Sequence, residues 1–404
     1  MSTTYHTIHR LLDTLPVISS HEHHWPDAQH SQLTLDRVIE KSYVGWRSMR
    51  PGASAVERAT FLRQHRHCSY FVWLEKGVQR VHGLDGKLTP ENWDDVSALI
   101  STRHSDRYAH IAILRESARY ARAVQDTYWE YGSDIDHPEL FSPTMRTDMF
   151  VRCFHPDVLD HDDNNPFAHY PDAPRHDFTA YLDYLEDLFT GWRRSGAVAM
   201  KSASAYERSL AYGEGDLNGA ARIFGCPPDT VSPEERATFE ETMFNWFCRL
   251  AAKLDVPFQV HMGLGQLPGS RPMLFAPTLE RYPRVHFVLF HMGYPWYDEI
   301  AGLAHNYDNL SVDMVWAPII SPTAAVAALH QDIEVARADD RIAWGSDTWT
   351  SEEAVGALLA WEHVVATVLS QKVDNGYLDM SDAEQLAHAL MYRNAAQLYG
   401  FEVL

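Results

Sequence analysis

Leu15-Pro-Val-Ile-Ser-Ser-His-Glu-His23 reads as a short apolar run that ends on a pair of histidines. In an extended strand, residues two apart point to the same side, so His21 and His23 face one way and Glu22 the other. Four later runs end in the same manner. Ala197-Val-Ala-Met200 precedes Lys201, Val256-Pro-Phe-Gln-Val260 precedes His261, Val285-His-Phe-Val-Leu-Phe290 precedes His291, and Ile342-Ala-Trp-Gly-Ser346 precedes Asp347. Each run suits a buried parallel strand, and each closes on a side chain that can hold a metal ion or move a proton. Groups spread over most of the chain meet only if the strand ends that carry them meet. An α/β fold, the (β/α)8 barrel of the TIM type, achieves this, because all its strands open on one C-terminal face where active sites are built.

Working outward, helix and strand patterns alternate from Phe178 onward, as expected of βαβ units. Helices are expected at about 178–194, 233–253, 276–282, 296–306, 322–337 and 351–371, and a seventh strand at Leu310-Ser-Val-Asp-Met314. Arg122 to Asp126 offers a weak second strand and Asp148 to Phe154 a third. Between the first strand and these lies a segment, about Leu33 to Arg119, without a convincing strand. It reads as helices at 35–42, 55–77, 89–104 and 106–121, with Thr89 as an N-cap before Pro90. We therefore expect one domain over residues 1–404, with a helical insertion after the first strand that covers the barrel mouth. A last helix, about 381–398, is expected to start at a Ser381-Asp-Ala-Glu384 capping box and to stop at Gly400.

A chain of 404 residues with 45% hydrophobic content can bury such a core. Its 34 basic and 55 acidic residues, a net charge of -21, argue against nucleic acid or an anionic membrane as partner. No run of some 20 apolar residues suggests a membrane span. The start of the sequence lacks the basic and apolar segments of a signal peptide. Cys68, Cys153, Cys226 and Cys248 form no Cys-x-x-Cys unit. A cytoplasmic, reduced protein that acts on a small molecule, alone or as a homo-oligomer, is the expectation.

The strand-end series, taken in order, resembles the amidohydrolase superfamily: His-x-His after the first strand, lysine after the fourth, histidines after the fifth and sixth, aspartate after the eighth. Ala199-Met-Lys-Ser-Ala-Ser-Ala-Tyr206, Trp344-Gly-Ser-Asp-Thr348 and Tyr70-Phe-Val-Trp-Leu-Glu75 resemble most the branch of uronate isomerases and nodulin/FluG-type amidohydrolase domains. The resemblance implies a metal-dependent hydrolase of an amide, lactone or related C–N or C–O bond. Decarboxylation of aromatic acids and isomerisation of uronic acids occur on the same scaffold, so both remain alternatives, as does a binding barrel without catalysis.

A His-x-His pair alone means little, since 23 histidines give about one by chance. His65-Arg66-His67 is such a pair, and it lies on a helical pattern where residues two apart share no face. The metal-ligand candidates are His21, His23, Lys201, His261, His291 and Asp347. Imidazole and carboxylate donors suit zinc, with manganese, iron or cobalt as alternatives. His21, His23 and Asp347 are expected to hold a metal, Asp347 to shuttle a proton, and His291 to bind a second ion or polarise the substrate carbonyl. Lys201 has three readings: carboxylated and bridging two ions, a free ammonium that binds a substrate carboxylate, or a structural ion pair. One or two ions follow accordingly. Arg208, Trp25 and Tyr206 are candidate substrate contacts. Tyr43, Trp46, Tyr70, Trp73 and Trp316 are aromatics that could wall a pocket but equally fill a core. Gly263-Leu-Gly265-Gln-Leu-Pro-Gly269 fails as a dinucleotide loop because its third glycine is one residue late and Pro268 spoils the helix entry. No Gly-x-Ser-x-Gly, Walker loop or His-Glu-x-x-His is present.

Overall fold

The computed structural model describes residues 1–47 and 50–402. Eight strands form one parallel sheet in chain order: β1 (Val17–Glu22), β2 (Tyr120–Gln125), β3 (Phe141–Arg146), β4 (Ala199–Ser202), β5 (Phe258–Val260), β6 (Phe287–Leu289), β7 (Leu310–Asp313) and β8 (Ile342–Ala343). The segment after β8 returns to β1. Ser20 N–H donates to the Trp344 carbonyl at 2.9 Å, Asp347 N–H to the His21 carbonyl at 3.0 Å, and His23 N–H to the Thr348 carbonyl at 3.0 Å. First and last strands thus close the barrel, and this seam makes neighbours of groups more than 300 positions apart in the sequence.

Outside the sheet run the helices Phe178–Arg194, Pro233–Leu254, Ala276–Arg281, Tyr297–Asn306, Pro322–Val335 and Ser351–Asp374. Ser351–Asp374 has the length and apolar composition of a membrane span, yet 83% of its apolar window is buried inside the fold. Its two-sided burial, against barrel and insertion, accounts for that composition.

Between β1 and β2 stand, among the described residues, seven helices, from Asp27–His30 to Ala109–Glu116, with a small core of their own around Phe61, Phe71 and Trp93. Helix Ser69–His82 docks this layer on Ser351–Asp374 through two glycines. A Cβ built on Gly77 would lie 2.1 Å from the Glu352 carbonyl oxygen, and one on Gly356 2.3 Å from that of Trp73. Only hydrogen at both positions permits so close a helix pair.

Several boundaries differ from the sequence reading. The third strand is Phe141–Arg146, whereas the apolar run Met149-Phe-Val151 forms helix Asp148–Arg152, buried in the largest core cluster. Periodicity cannot tell a short buried helix from a short buried strand, and Phe-Ser-Pro-Thr-Met-Arg looks too polar for a strand until its neighbours cover it. The expected helix 55–77 is two, Ala55–His65 and Ser69–His82, broken at Arg66 to Cys68. Helix Trp93–Arg103 is preceded by Asn92 in the capping position, not Thr89. The terminal helix is capped by Asp379 with Asp382, two residues earlier than Ser381 and Glu384, and passes through a wide turn at Ala389–Arg393 before Gly400.

Candidate metal centre

Residues at or just after the ends of β1, β3, β4, β5, β6 and β8 meet at one cavity of about 350 Å³ at the C-terminal mouth. His23, Lys201, Tyr206, His261, His291 and Asp347 line it. His21 lies just beneath, fully buried.

Hydrogen bonds fix which nitrogen each imidazole presents. Gln259, on β5, donates through Nε2 to the Ser20 carbonyl at 3.0 Å and to Tyr399 Oη at 2.8 Å. Its Oε1 therefore accepts from His21 Nδ1 at 3.0 Å, leaving His21 Nε2 with a free lone pair and no hydrogen-bond partner. His23 Nδ1 donates to the Asp126 carbonyl at 2.7 Å, which turns Nε2 to Asp347 Oδ1 at 3.1 Å. His21 Nε2 is 3.6 Å from Asp347 Oδ1 and 3.6 Å from Asp126 Oδ2. Ligand atoms at the corners of a tetrahedral zinc shell, with bonds near 2.1 Å, stand about 3.4 Å apart. His21, His23 and Asp126 form a group whose donor atoms all lie within 4.8 Å, and Asp347 closes it from the other side. The donor set thus fits a divalent ion in both chemistry and spacing.

Asp347 has φ of 62°, in the left-handed region. Its Oδ2 accepts from Tyr43 Oη at 2.9 Å. Burial and the Asp347 charge push the Tyr43 phenol well above its usual range, so it remains the donor. Burial opposes the charge on Asp347, but the His23 hydrogen bond and the nearby histidines hold the carboxyl well below the usual range.

His291 donates through Nδ1 to the Val315 carbonyl at 3.1 Å, and its Nε2 lies 2.9 Å from His261 Nδ1. His261 Nδ1 is then the donor of that bond, and its Nε2, buried and without a partner, is the free lone pair of the two rings. Burial, with Asp347 partly opposing and Lys201 adding, lowers His291 to about 4. Burial and the neighbours His291 and Lys201 push His261 well below the usual value. Both rings are neutral, as ligation requires.

Lys201, at the register position opposite Arg146 and Gln259, places Nζ 3.6 Å from the Phe290 ring centre. Among the described residues no carboxylate lies within ion-pair distance of it. Burial lowers its ammonium to about 8, against the pull of Asp126 and Asp347.

Two sequence candidates stay outside. Arg208 is held by Glu240 at 3.1 Å and Glu241 at 3.5 Å, over the Tyr212 ring, so its charge is spent on helix Pro233–Leu254 and not on the cavity. Trp25 faces a shallow cleft under Lys41, because the chain turns away from the mouth directly after His24. Tyr206 does reach the cavity, 4.4 Å from the His261 ring. The structure also brings in groups the sequence reading did not single out. Arg146, at the end of β3, bonds Asp126 at 2.7 Å and Asp162 at 2.7 Å and forms an ion pair with Asp148 at 2.9 Å. Tyr128, His161, Asp162 and Trp349 add to the wall. Asp126 obeys the same strand-end rule as His21 and was within reach of it; Arg146 was hidden by the misplaced third strand. From the insertion, Tyr43 and Trp46 enter the cavity, with Trp316 stacked 4.6 Å behind Tyr43.

Comparison with known proteins bears on the family and the fold. Residues 167–401 match the family model described as amidohydrolase. Protein fluG of Emericella nidulans is 27% identical over 220 residues, 50% of this chain, so the match spans about a quarter of that protein (25%). Among solved structures, uronate isomerase from Thermotoga maritima superposes with a TM-score of 0.79 at 13% identity, covering 99% of this chain and 98% of that one. Glucuronate isomerase from Caulobacter crescentus does so with 0.76 at 18% identity, covering 100% and 95%. A proposed metal-dependent hydrolase from Lactobacillus casei gives 0.69 at 17%, covering 97% of each chain. At such identities the structures speak for the fold, while the family model covers more than half of the sequence. The chain belongs to the amidohydrolase family.

Proposed function

We propose that this protein is a metal-dependent hydrolase of an amide, lactone or related bond in a small, carboxylate-bearing molecule. The observation that carries the reading is the convergence of His21 Nε2, His23 Nε2 and Asp347 Oδ1 at 3.1 to 3.6 Å, with His21 Nε2 buried and unpartnered. These three would hold the ion, with His261 Nε2 free beside them and Asp126 already committed to Arg146. Zinc suits the donors; manganese, iron and cobalt are the alternatives. Such an ion, when bound, polarises a substrate oxygen and brings the pKa of a bound water toward neutrality.

The chain's own groups supply the rest. Asp347 is kept ionised by the neighbouring histidines and oriented by Tyr43, so its carboxylate is set to take a proton and return it to the leaving group. His291, tied to Val315, holds the His261 ring in one tautomer. Lys201, a buried cation without a carboxylate partner, faces the cavity where an anionic substrate group would sit. Trp349, stacked on His23 at 5.7 Å, and Tyr128 and Tyr206 offer ring faces to the remainder of a small molecule.

The unpaired Lys201 also favours a second reading, uronate isomerisation, since a uronate carries the carboxylate that such a lysine would bind. Assays of metal-loaded protein on N-acyl amino acids and lactones, beside uronates and aromatic carboxylic acids, separate the readings. Release of acid or amine supports the hydrolase; ketose formation or carbon dioxide release without hydrolysis overturns it.

A further inference from the structure

Glu22, the residue between the two strand-end histidines, touches neither the cavity nor the group of ligand atoms, yet it is fully buried. Its carboxylate is the meeting point of two chain segments. Oε1 accepts from Ser19 Oγ at 2.5 Å, Tyr120 Oη at 2.8 Å and the Ser346 N–H at 3.2 Å. Oε2 accepts from Ser346 Oγ at 2.5 Å, the Thr348 N–H at 3.3 Å and Thr348 Oγ1 at 3.4 Å. His24 Nε2 stands 3.3 Å from Oε2. The residues on both sides of Asp347 are therefore bonded to the residue that lies between His21 and His23.

We propose that Glu22 is the positioning residue of the metal centre: it holds no ion and no substrate, but sets Asp347 against His21 and His23. The backbone of Asp347 sits at φ of 62°, a conformation that costs a non-glycine residue on the order of 1 kcal/mol and persists only where its surroundings impose it. Beside the main-chain bonds of Asp347 to His21 and of Thr348 to His23, Ser346 and Thr348 flank that backbone, and both are on Glu22. Ligand groups work only when held to within about 0.5 Å of their geometry. β1 carries Glu22 together with the two histidines, so one side chain ties ligands from both ends of the chain into one frame.

Charge is needed as well as shape. Each carboxylate oxygen receives a backbone N–H, Ser346 on Oε1 and Thr348 on Oε2. In Glu22→Gln the amide NH2 replaces one of the oxygens, and whichever way it turns it meets a backbone donor. A buried donor facing a donor is unsatisfied, so the loop must move.

This inference rests on the metal reading above, and its test reads metal affinity rather than turnover. The apo full-length chain is titrated with zinc against a fluorescent chelator, and its melting temperature is recorded without metal. Glu22→Gln is expected to weaken zinc binding about 10- to 100-fold, the range for groups that orient ligands. The double variant Ser346→Ala with Thr348→Val keeps the charge and removes only the loop hydroxyls, so it decides the matter should Glu22→Gln fold poorly. It is expected to lose affinity several-fold, with a lower apo melting temperature because the buried carboxylate loses its hydroxyl donors. Asp332→Asn, a buried carboxylate on helix Pro322–Val335, serves as the control that alters stability and leaves zinc affinity unchanged. Wild-type affinity in the double variant overturns the inference alone. A wild-type chain that takes up no zinc overturns the metal reading and the inference with it.

Discussion

Asp347 offers one oxygen to two histidines and the other to a tyrosine, and the division predicts how its removal behaves. Asp347→Asn keeps the size and removes the base, so turnover in the metal-loaded variant is expected to fall roughly 10²-fold or more, with KM less affected. An unchanged rate would reject the proton role. Lys201 poses the question of one ion or two. A carboxylated lysine bridges two cations, whereas a free ammonium repels the second. Metal content per chain, measured for wild type and Lys201→Ala in bicarbonate buffer, is expected to fall from two to one if Lys201 bridges; one equivalent in both shows that it does not. Asp332 makes a separate point about stability. Among the described residues neither of its oxygens has a partner, and burial raises its carboxyl to about 8. A folded-state pKa above the unfolded value near 3.9 means that the folded chain binds the proton more tightly. The stability this contributes is complete below about pH 4 and is lost as pH rises toward 8, by up to about 1.4 kcal/mol per pH unit. Asp332→Asn is expected to remove that slope and to melt higher than wild type at pH 8. Equal slopes of denaturant stability against pH would contradict it.

At the scale of elements, the strand ends were legible because two features coincide there: an apolar run short enough for a strand, and a polar residue directly after it. That signal marks His21, Lys201, His261, His291 and Asp347, all of which the structure gathers at one mouth. It fails where a strand is made by its surroundings, as in Phe141–Arg146, and with it Arg146 and its three carboxylate partners were out of reach. Pairings between distant residues such as Arg208 with Glu240 leave no local trace either, since the partner sits 32 positions away. The helix pair Ser69–His82 and Ser351–Asp374 shows the reverse case, a contact written in two glycines that no pattern of apolar residues announces. Gly77→Ala places a methyl group against a backbone carbonyl, and neither helix can give way without moving Glu352 and the loop toward Asp347. Overpacking of this kind costs typically 1–3 kcal/mol. Gly77→Ala is therefore expected to lower the denaturation midpoint, while Gly302→Ala, whose Cβ meets nothing within 4 Å, should leave it unchanged or raise it. Equal midpoints for Gly77→Ala and wild type would show that the helices are not in that contact.

For the molecule as a whole, the seam between β1 and the segment after β8 is where the two ends of the chain are joined, and the ligand groups lie on it. His21 and His23 come from one side and Asp347 from the other, linked by main-chain bonds of 3.0 Å in both directions. An ion held across the seam is bound by the closed barrel and by no part of the unfolded chain, so its binding free energy adds to folding. At a free concentration 100 times its Kd the gain is about 2.7 kcal/mol. With an unfolding entropy near 2.1 cal/mol/K per residue, a chain of this length should melt about 3 °C higher. Zinc added to the apo protein is expected to produce that rise, with a dependence on the logarithm of its concentration, and His23→Ala should abolish most of it while Arg208→Ala, which lies off the seam, retains it. A melting temperature indifferent to zinc in the wild type would mean that the groups gathered at the seam hold no ion, and the barrel would then owe its closure to the backbone bonds and the Glu22 carboxylate that cross the seam.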